Sequence, residues 1–146
     1  MKIGQLFNVS GKVAVVTGGS RGIGEMISAG FLANGVKVYI TARKEEPLIK
    51  KAKELSNEYN GTCIPIACDL SSSLGIDYFV KMIHEKEKAI DFLINNAGAA
   101  WGEPYDEFSE VGWDKVMDLN VKSLFFLTQK LTEMLKVRAS IDDPSR

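Results

Sequence analysis

The 146 residues are enough to close one hydrophobic core, and 45% hydrophobic with 25% charged side chains is an ordinary globular balance. A formal charge of −1 leaves no basic field for a phosphate backbone, which excludes nucleic acid as the expected partner. No apolar run is long enough to span a bilayer and no signal-peptide core opens the chain, so the sequence reads as a cytoplasmic, non-membrane protein.

Short apolar runs recur at Val13–Val16, Val36–Ile40, Cys63–Ala67 and Ile90–Ile94, each short enough for a strand buried on both faces. Between them lie stretches with helical spacing: Ile23, Ile27 and Phe31, then Leu48, Ala52, Leu55 and Tyr59, then Ile76, Phe79 or Val80, and Ile83. Pro47 suits a first helical turn, Glu45 and Glu46 complement the positive end of that helix, and Gly35 and Gly61 are expected to end the first two helices. A loop, Ala99–Gly112, precedes a fourth helix from about Trp113 to Lys136, whose stripe runs Val116, Asn120, Leu124, Leu127, Leu131 and Leu135. The tail Val137–Arg146 turns polar. Alternating strands and helices joined by right-handed crossovers predict an α/β, doubly wound parallel sheet of Rossmann type, one domain over 1–146, stopping where a fifth strand is expected.

The first strand runs directly into Thr17-Gly18-Gly19-Ser20-Arg21-Gly22-Ile23-Gly24, where a helix opens. A pyrophosphate is stabilised by the unpaired N–H groups and dipole of a helix N-terminus only if no side chain blocks its approach, and Gly18, Gly22 and Gly24 clear that approach. The spacing Gly-x-x-x-Gly-x-Gly differs from the Gly-x-Gly-x-x-Gly fingerprint, and a tight turn without a ligand is the competing explanation. The second strand ends Ile40-Thr41-Ala42-Arg43-Lys44 with no acid before Glu45. An acid there would select a free ribose hydroxyl. Arg43, helped by Arg21, instead suits a 2′-phosphate and points to NADP.

Cys63 and Cys68, the two cysteines, are expected to be reduced thiols near a buried strand, and with the single histidine they make no metal site. That histidine, His84, stands among Glu85, Lys86, Glu87 and Lys88, which predicts a solvated helix face rather than a proton carrier. Asn120 sits in an apolar stripe, so it is expected to be buried and to need hydrogen-bond partners.

Thr-Gly-x-x-x-Gly-x-Gly at Thr17–Gly24, Asp69-Leu70 after the third strand, Asn95-Asn96-Ala97-Gly98 after the fourth, and Asn120 in the next helix together resemble the short-chain dehydrogenase/reductase family. The likeness extends from about Gly11 to Leu135, and its local wording is similar to NADP-dependent 3-oxoacyl reductases. The resemblance implies that Gly18, Ser20, Arg21, Gly22, Ile23 and Gly24 line the phosphates and that Asp69 and Leu70 meet the adenine. It also implies that Asn96, Ala97 and Gly98 wall the cofactor cleft and that Asn120 holds a water in a proton relay. A helix cap is the alternative for Asp69, given Ser71, Ser72 and Ser73, and a structural bond to neighbouring backbone is the alternative for Asn120.

The implied activity is hydride transfer between nicotinamide and a small-molecule carbonyl or secondary alcohol, in a homo-oligomer. Such chemistry needs a tuned proton donor, which the family supplies as a tyrosine with a lysine four residues later. Four residues after Tyr39, Tyr59, Tyr78 and Tyr105 stand Arg43, Cys63, Met82 and Ser109, so no Tyr-x-x-x-Lys is present, and the chain reads as the cofactor-binding front of such an enzyme. The alternative is a non-catalytic module that binds a dinucleotide or dimerises.

Overall fold

Five consecutive buried residues, Val13–Thr17, form strand β1 of a computed structural model that describes residues 8–141 and 143–145. The remaining elements follow as helix α1 (Gly22–Ala33), β2 (Lys37–Ala42), α2 (Glu45–Glu58), β3 (Cys63–Ala67), α3 (Ser73–Lys86) and β4 (Phe92–Ile94). A single 3-10 turn (Tyr105–Glu107) then leads to α4 (Glu110–Met117) and α5 (Ser123–Lys136). All strand pairs are parallel and the order is β3-β2-β1-β4, which is the expected doubly wound sheet.

Side chains alternate across the sheet, so each strand feeds two cores. Val13, Val15, Tyr39 and Leu93 pack with Phe79, Ile83, Leu127, Leu131 and Met134 from α3 and α5. Ala14, Val16, Val38, Ile40 and Phe92 pack with Leu32, Leu48, Ala52 and Leu55 from α1 and α2. Each fully buried aliphatic side chain contributes about 1.5–3 kcal/mol, which is why the strands read as unbroken apolar runs. Cys63 is buried and Cys68 half-buried, and burial pushes the Cys63 thiol up to about 12, so neither is a poised thiolate.

Several boundaries differ from the sequence expectation. Strand β2 starts at Lys37 rather than Val36 and continues to Ala42, because Thr41 and Ala42 still pair with Ile66 and Ala67. Strand β4 is confined to Phe92–Ile94; Ile90 is fully buried but precedes the ladder, and its N–H bonds to the Met134 carbonyl of α5. At the end of α2 the left-handed residue is Asn60 (φ +48), not Gly61, whose N–H instead closes the helix onto the Ser56 carbonyl. Gly35, with φ +75, ends α1 as expected.

The fourth predicted helix departs most. It begins three residues early, at Glu110, because Ser109 caps it by accepting from Gly112 N–H at 3.1 Å. It is then interrupted at Asp118–Lys122, where bonding widens to the π pattern and Ser123 N–H reaches back to Asp118. The core-facing stripe keeps Leu127 and Leu131 and differs by one position at each end, with Leu135 half-buried against the same core. Ser123, Leu127, Leu131 and Met134 are buried, whereas Leu124 is exposed. The tail is tied back through Arg138 to Asp91 and through Lys12 to Asp143, while Asp142 and Arg146 lie outside the described residues.

Two polar contacts tie Glu87, at the end of α3, to strand β2. Tyr39 Oη donates to Glu87 at 2.7 Å, and Lys37 Nζ lies 2.6 Å from the same carboxylate oxygen. Burial alone would raise the Glu87 carboxyl, but the Lys37 and Tyr39 hydrogen bonds together outweigh it and hold it below its ordinary value. A lowered folded value means that this stabilisation is complete above the unfolded carboxyl's range, about 4.3, and is lost as pH falls through the lower folded value. Chemical denaturation from pH 7 to pH 3 is therefore expected to show a shallower acid loss in Glu87→Gln than in the parent. An unchanged pH slope would contradict the assignment.

Candidate dinucleotide site

The chain winds from β1 to β2 to β3 on one side, then crosses back to place β4 on the other flank of β1. The switch point therefore lies between β1 and β4, and ligands of such sheets bind beyond the carboxyl ends of the strands there. The glycine turn and the Asn95–Gly98 turn are the two segments leaving those ends. A groove of about 410 Å3 lined by Leu32, Gly35, Lys37, Tyr59 and Asn60 sits where the strands begin, away from every candidate residue.

The two turns are locked together by Thr17. Its hydroxyl donates to the Ile94 carbonyl at 3.2 Å and accepts from Asn96 and Ala97 N–H, both at 2.9 Å. Asn96 completes the lock by donating its amide to the carbonyls of Thr17 at 2.9 Å and Gly18 at 3.3 Å. Thr17 is absent from the sequence-derived site residues. The signal that marks it is a buried hydroxyl at the end of an otherwise aliphatic strand, which must find partners.

The glycines have distinct jobs. Gly18 has φ +67, and a Cβ there would lie 3.1 Å from both Ala97 Cα and the Asn96 amide nitrogen. A Cβ on Gly24 would overlap the Gly18 carbonyl, so this glycine lets α1 pack beneath the turn. Gly22 has φ +57 and nothing near its would-be Cβ, which leaves the mouth of α1 open. No side chain caps α1, whereas Ser72 caps α3 and Ser109 caps α4. Uncapped N–H groups and a helix dipole facing open space suit an anion.

Ser20 is half-buried within the turn, and Arg21 and Ile23 are exposed beside it. The exposure of Ile23, 71%, corrects its place in the apolar stripe of α1. Gly24, Ser28 and Leu32 are the buried residues of that helix. Arg43 is exposed just past β2, and neither its guanidinium nor that of Arg21 meets a carboxylate among the described residues, despite Glu45 and Glu46 nearby. Strand β2 thus ends in free positive charge.

Past β3, Asp69 is exposed and its Oδ1 accepts from Ser71 N–H at 3.0 Å and Ser71 Oγ at 2.8 Å. Ser72, not Asp69, caps α3 through Gly75 N–H. The side chain of Leu70 is buried in the core, leaving its backbone for any ligand. Past β4, Asn95 donates to Thr128 Oγ1 at 3.0 Å, a structural tie to α5, while half-buried Ala97 and exposed Gly98 continue the turn.

Asn120 is exposed rather than buried, because the widened turn at Asp118–Lys122 rotates it off the core stripe. Its amide grips the Ala99 backbone from both ends, accepting from Ala99 N–H at 2.8 Å and donating to Ala99 C=O at 2.9 Å. An asparagine amide has one further hydrogen and one further lone pair, which these two bonds leave for water. His84 is exposed on α3, as expected, and no cluster of metal-binding side chains occurs among the described residues. No helix among them is long and apolar enough to cross a membrane.

A family model described as short chain dehydrogenase matches residues 12–141. The rhamnolipids biosynthesis 3-oxoacyl-[acyl-carrier-protein] reductase of Pseudomonas aeruginosa is 42% identical over 140 residues, covering 96% of this chain and 54% of that protein. The chicken (Gallus gallus) dehydrogenase/reductase SDR family member 11 is 36% identical, covering 92% of this chain and 52% of its own length. Among solved structures, the Pseudomonas aeruginosa RhlG/NADP active-site complex superposes with a TM-score of 0.90 at 42% identity, over 97% of this chain and 54% of that one. L-Sorbose reductase from Gluconobacter frateurii, complexed with NADPH and L-sorbose, gives 0.87 at 30% identity over 90% of this chain and 50% of that one. The chain thus spans about half the length of the curated relatives it matches.

Proposed function

The chain belongs to the short-chain dehydrogenase family, and from that premise we propose that it forms the NADP-binding part of an oxidoreductase acting on a carbonyl or secondary alcohol. The observation that carries the cofactor choice is Arg43, exposed at the end of β2 and meeting no carboxylate among the described residues, where no acid competes for a ribose hydroxyl. Two superposing relatives were solved with NADP or NADPH, which supports the same choice.

The residues present fit the group. Gly18, Gly22 and Gly24 keep side chains out of the turn, and the open mouth of α1 receives the pyrophosphate beside Ser20, Arg21 and Ile23. Arg43 takes the 2′-phosphate, with Arg21 adding charge at the glycine turn. The free Oδ2 of Asp69 and the backbone of Leu70 serve the adenine, since Oδ1 is already committed to Ser71. Asn96, Ala97 and Gly98 wall the other half of the cofactor.

When bound, the nicotinamide supplies or accepts the hydride. Asn120 holds the Ala99 segment and keeps one donor and one acceptor for a relay water. The sequence contains no Tyr-x-x-x-Lys, so the 146 residues are assigned the binding of the cofactor and not the proton transfer to substrate. A homo-oligomer and a small carbonyl substrate complete this reading.

The test is thermal unfolding with NADPH, with NADH and without ligand. A ligand at a hundred times its Kd adds about 2.7 kcal/mol to a folded state that alone binds it. NADPH is expected to raise the midpoint more than NADH does. Arg43→Ala should weaken NADPH binding roughly 10- to 100-fold, the worth of a charge-assisted hydrogen bond, and leave NADH nearly unchanged. Equal shifts from the two cofactors would contradict the Arg43 assignment.

A further inference from the structure

The segment after Gly98 is anchored at a second place that the cofactor assignment does not use. Trp101 lies across α4 where Gly112 leaves a notch, and any Cβ on Gly112 would overlap the Cδ1 and Nε1 side of the indole. The ammonium of Lys115 stands 4.3 Å above the ring centre, a cation–π contact that clamps it from the same helix. Glu103 closes the loop by accepting from Ser109 N–H at 2.7 Å and Ser109 Oγ at 2.8 Å, and Ser109 is the cap of that helix. Its carboxyl is held below its ordinary value by the Ser109 backbone bond and by the nearby indole.

The strand order decides which half of a dinucleotide this loop can influence. Arg43 and Asp69 follow β2 and β3 on one side of β1, and the Asn96–Ala99 wall follows β4 on the other. A dinucleotide centred on the glycine turn with its adenosine at Arg43 must send its nicotinamide half toward β4. The wall there is fixed at its start by Thr17 and Asn96, and further on by Asn120 at Ala99 and by Trp101 on Gly112.

We propose that Trp101, seated in the Gly112 notch beneath Lys115, is a positioning residue that holds the β4-side wall and thereby sets affinity for the nicotinamide half of the cofactor alone. The inference rests on the NADP reading above. Gly112→Ala fills the notch and expels the ring, and Trp101→Ala removes the ring while leaving α4 intact, so the two variants act through different risks to folding.

The experiment measures Kd by calorimetry for NADPH and for adenosine 2′,5′-bisphosphate, which carries the adenosine half with its 2′- and 5′-phosphates and lacks the nicotinamide half. Both variants are expected to lose roughly tenfold in NADPH affinity while adenosine 2′,5′-bisphosphate stays within about twofold of the parent. Equal losses for the two probes would reduce Trp101 to a general structural role and overturn the inference, as would unchanged NADPH binding in both variants. A parent chain that binds neither probe overturns the NADP reading and this inference with it. A parent that binds both, with variants failing the contrast, overturns this inference alone.

Discussion

Thr17→Val is expected to cost about 1–3 kcal/mol of folding stability, and to abolish cofactor-induced stabilisation at ligand concentrations that saturate the parent. Valine matches threonine in shape, so no cavity opens and the loss is one of hydrogen bonding. Asn96 N–H retains the Ile94 carbonyl at 3.0 Å, but Ala97 N–H loses the partner that Thr17 Oγ1 provides. An unsatisfied, partly buried donor costs about 1–3 kcal/mol, a sizeable part of the 5–15 kcal/mol that holds a typical domain together. The functional loss is larger than the stability loss, because the same hydroxyl registers the Asn96–Gly98 wall against the glycine turn. Thr17→Ser keeps the oxygen and should behave like the parent in urea denaturation. A valine variant with parental stability would mean that the hydroxyl bonds are dispensable.

Gly24→Ala has the second large effect, roughly 3 kcal/mol or more, at the upper end of what overpacking costs. The added methyl would overlap the Gly18 carbonyl oxygen and crowd the Asn96 amide, and both belong to the glycine turn itself. Neither can move without opening the bonds that Asn96 makes to Thr17 and Gly18. The same substitution six residues further along the same helix supplies the control. Gly30 is exposed and a Cβ there meets nothing within 4 Å. Gly30→Ala should therefore stabilise by about 0.5–1 kcal/mol through helix propensity. Opposite signs at Gly24 and Gly30 in paired thermal melts would separate steric exclusion from backbone preference, and equal signs would refute the packing argument.

The positions of Arg43, Asp69 and the Asn95–Gly98 turn at strand ends were legible because each follows within two residues of a strand whose apolar run is plain, and strand ends in a doubly wound sheet all face one side. The Asn120 side chain was legible as a polar group in need of partners and misread as buried. Helical spacing assumes 3.6 residues per turn, and the widened turn at Asp118–Lys122 depends on tertiary packing that spacing cannot report. The bridging role of Thr17 and the notch at Gly112 stayed hidden for a related reason. A threonine ending a strand and a glycine in a helix are common, and their importance lies in partners 80 and 11 residues away, Ala97 and Trp101.

The sequence by itself determined the alternation of strands and helices, the sheet they must form and the places where the chain turns. These follow from burial periodicity and from glycine chemistry, which act over a few neighbouring residues. Only the tertiary structure decided which polar atoms meet across the switch point, which face of α5 enters the core, and that the Asn96–Trp101 segment is pinned at both ends. Those outcomes depend on distances between segments far apart in the chain, and hydrogen bonds and close packing are sensitive to a few tenths of an ångström, a precision that no local pattern carries.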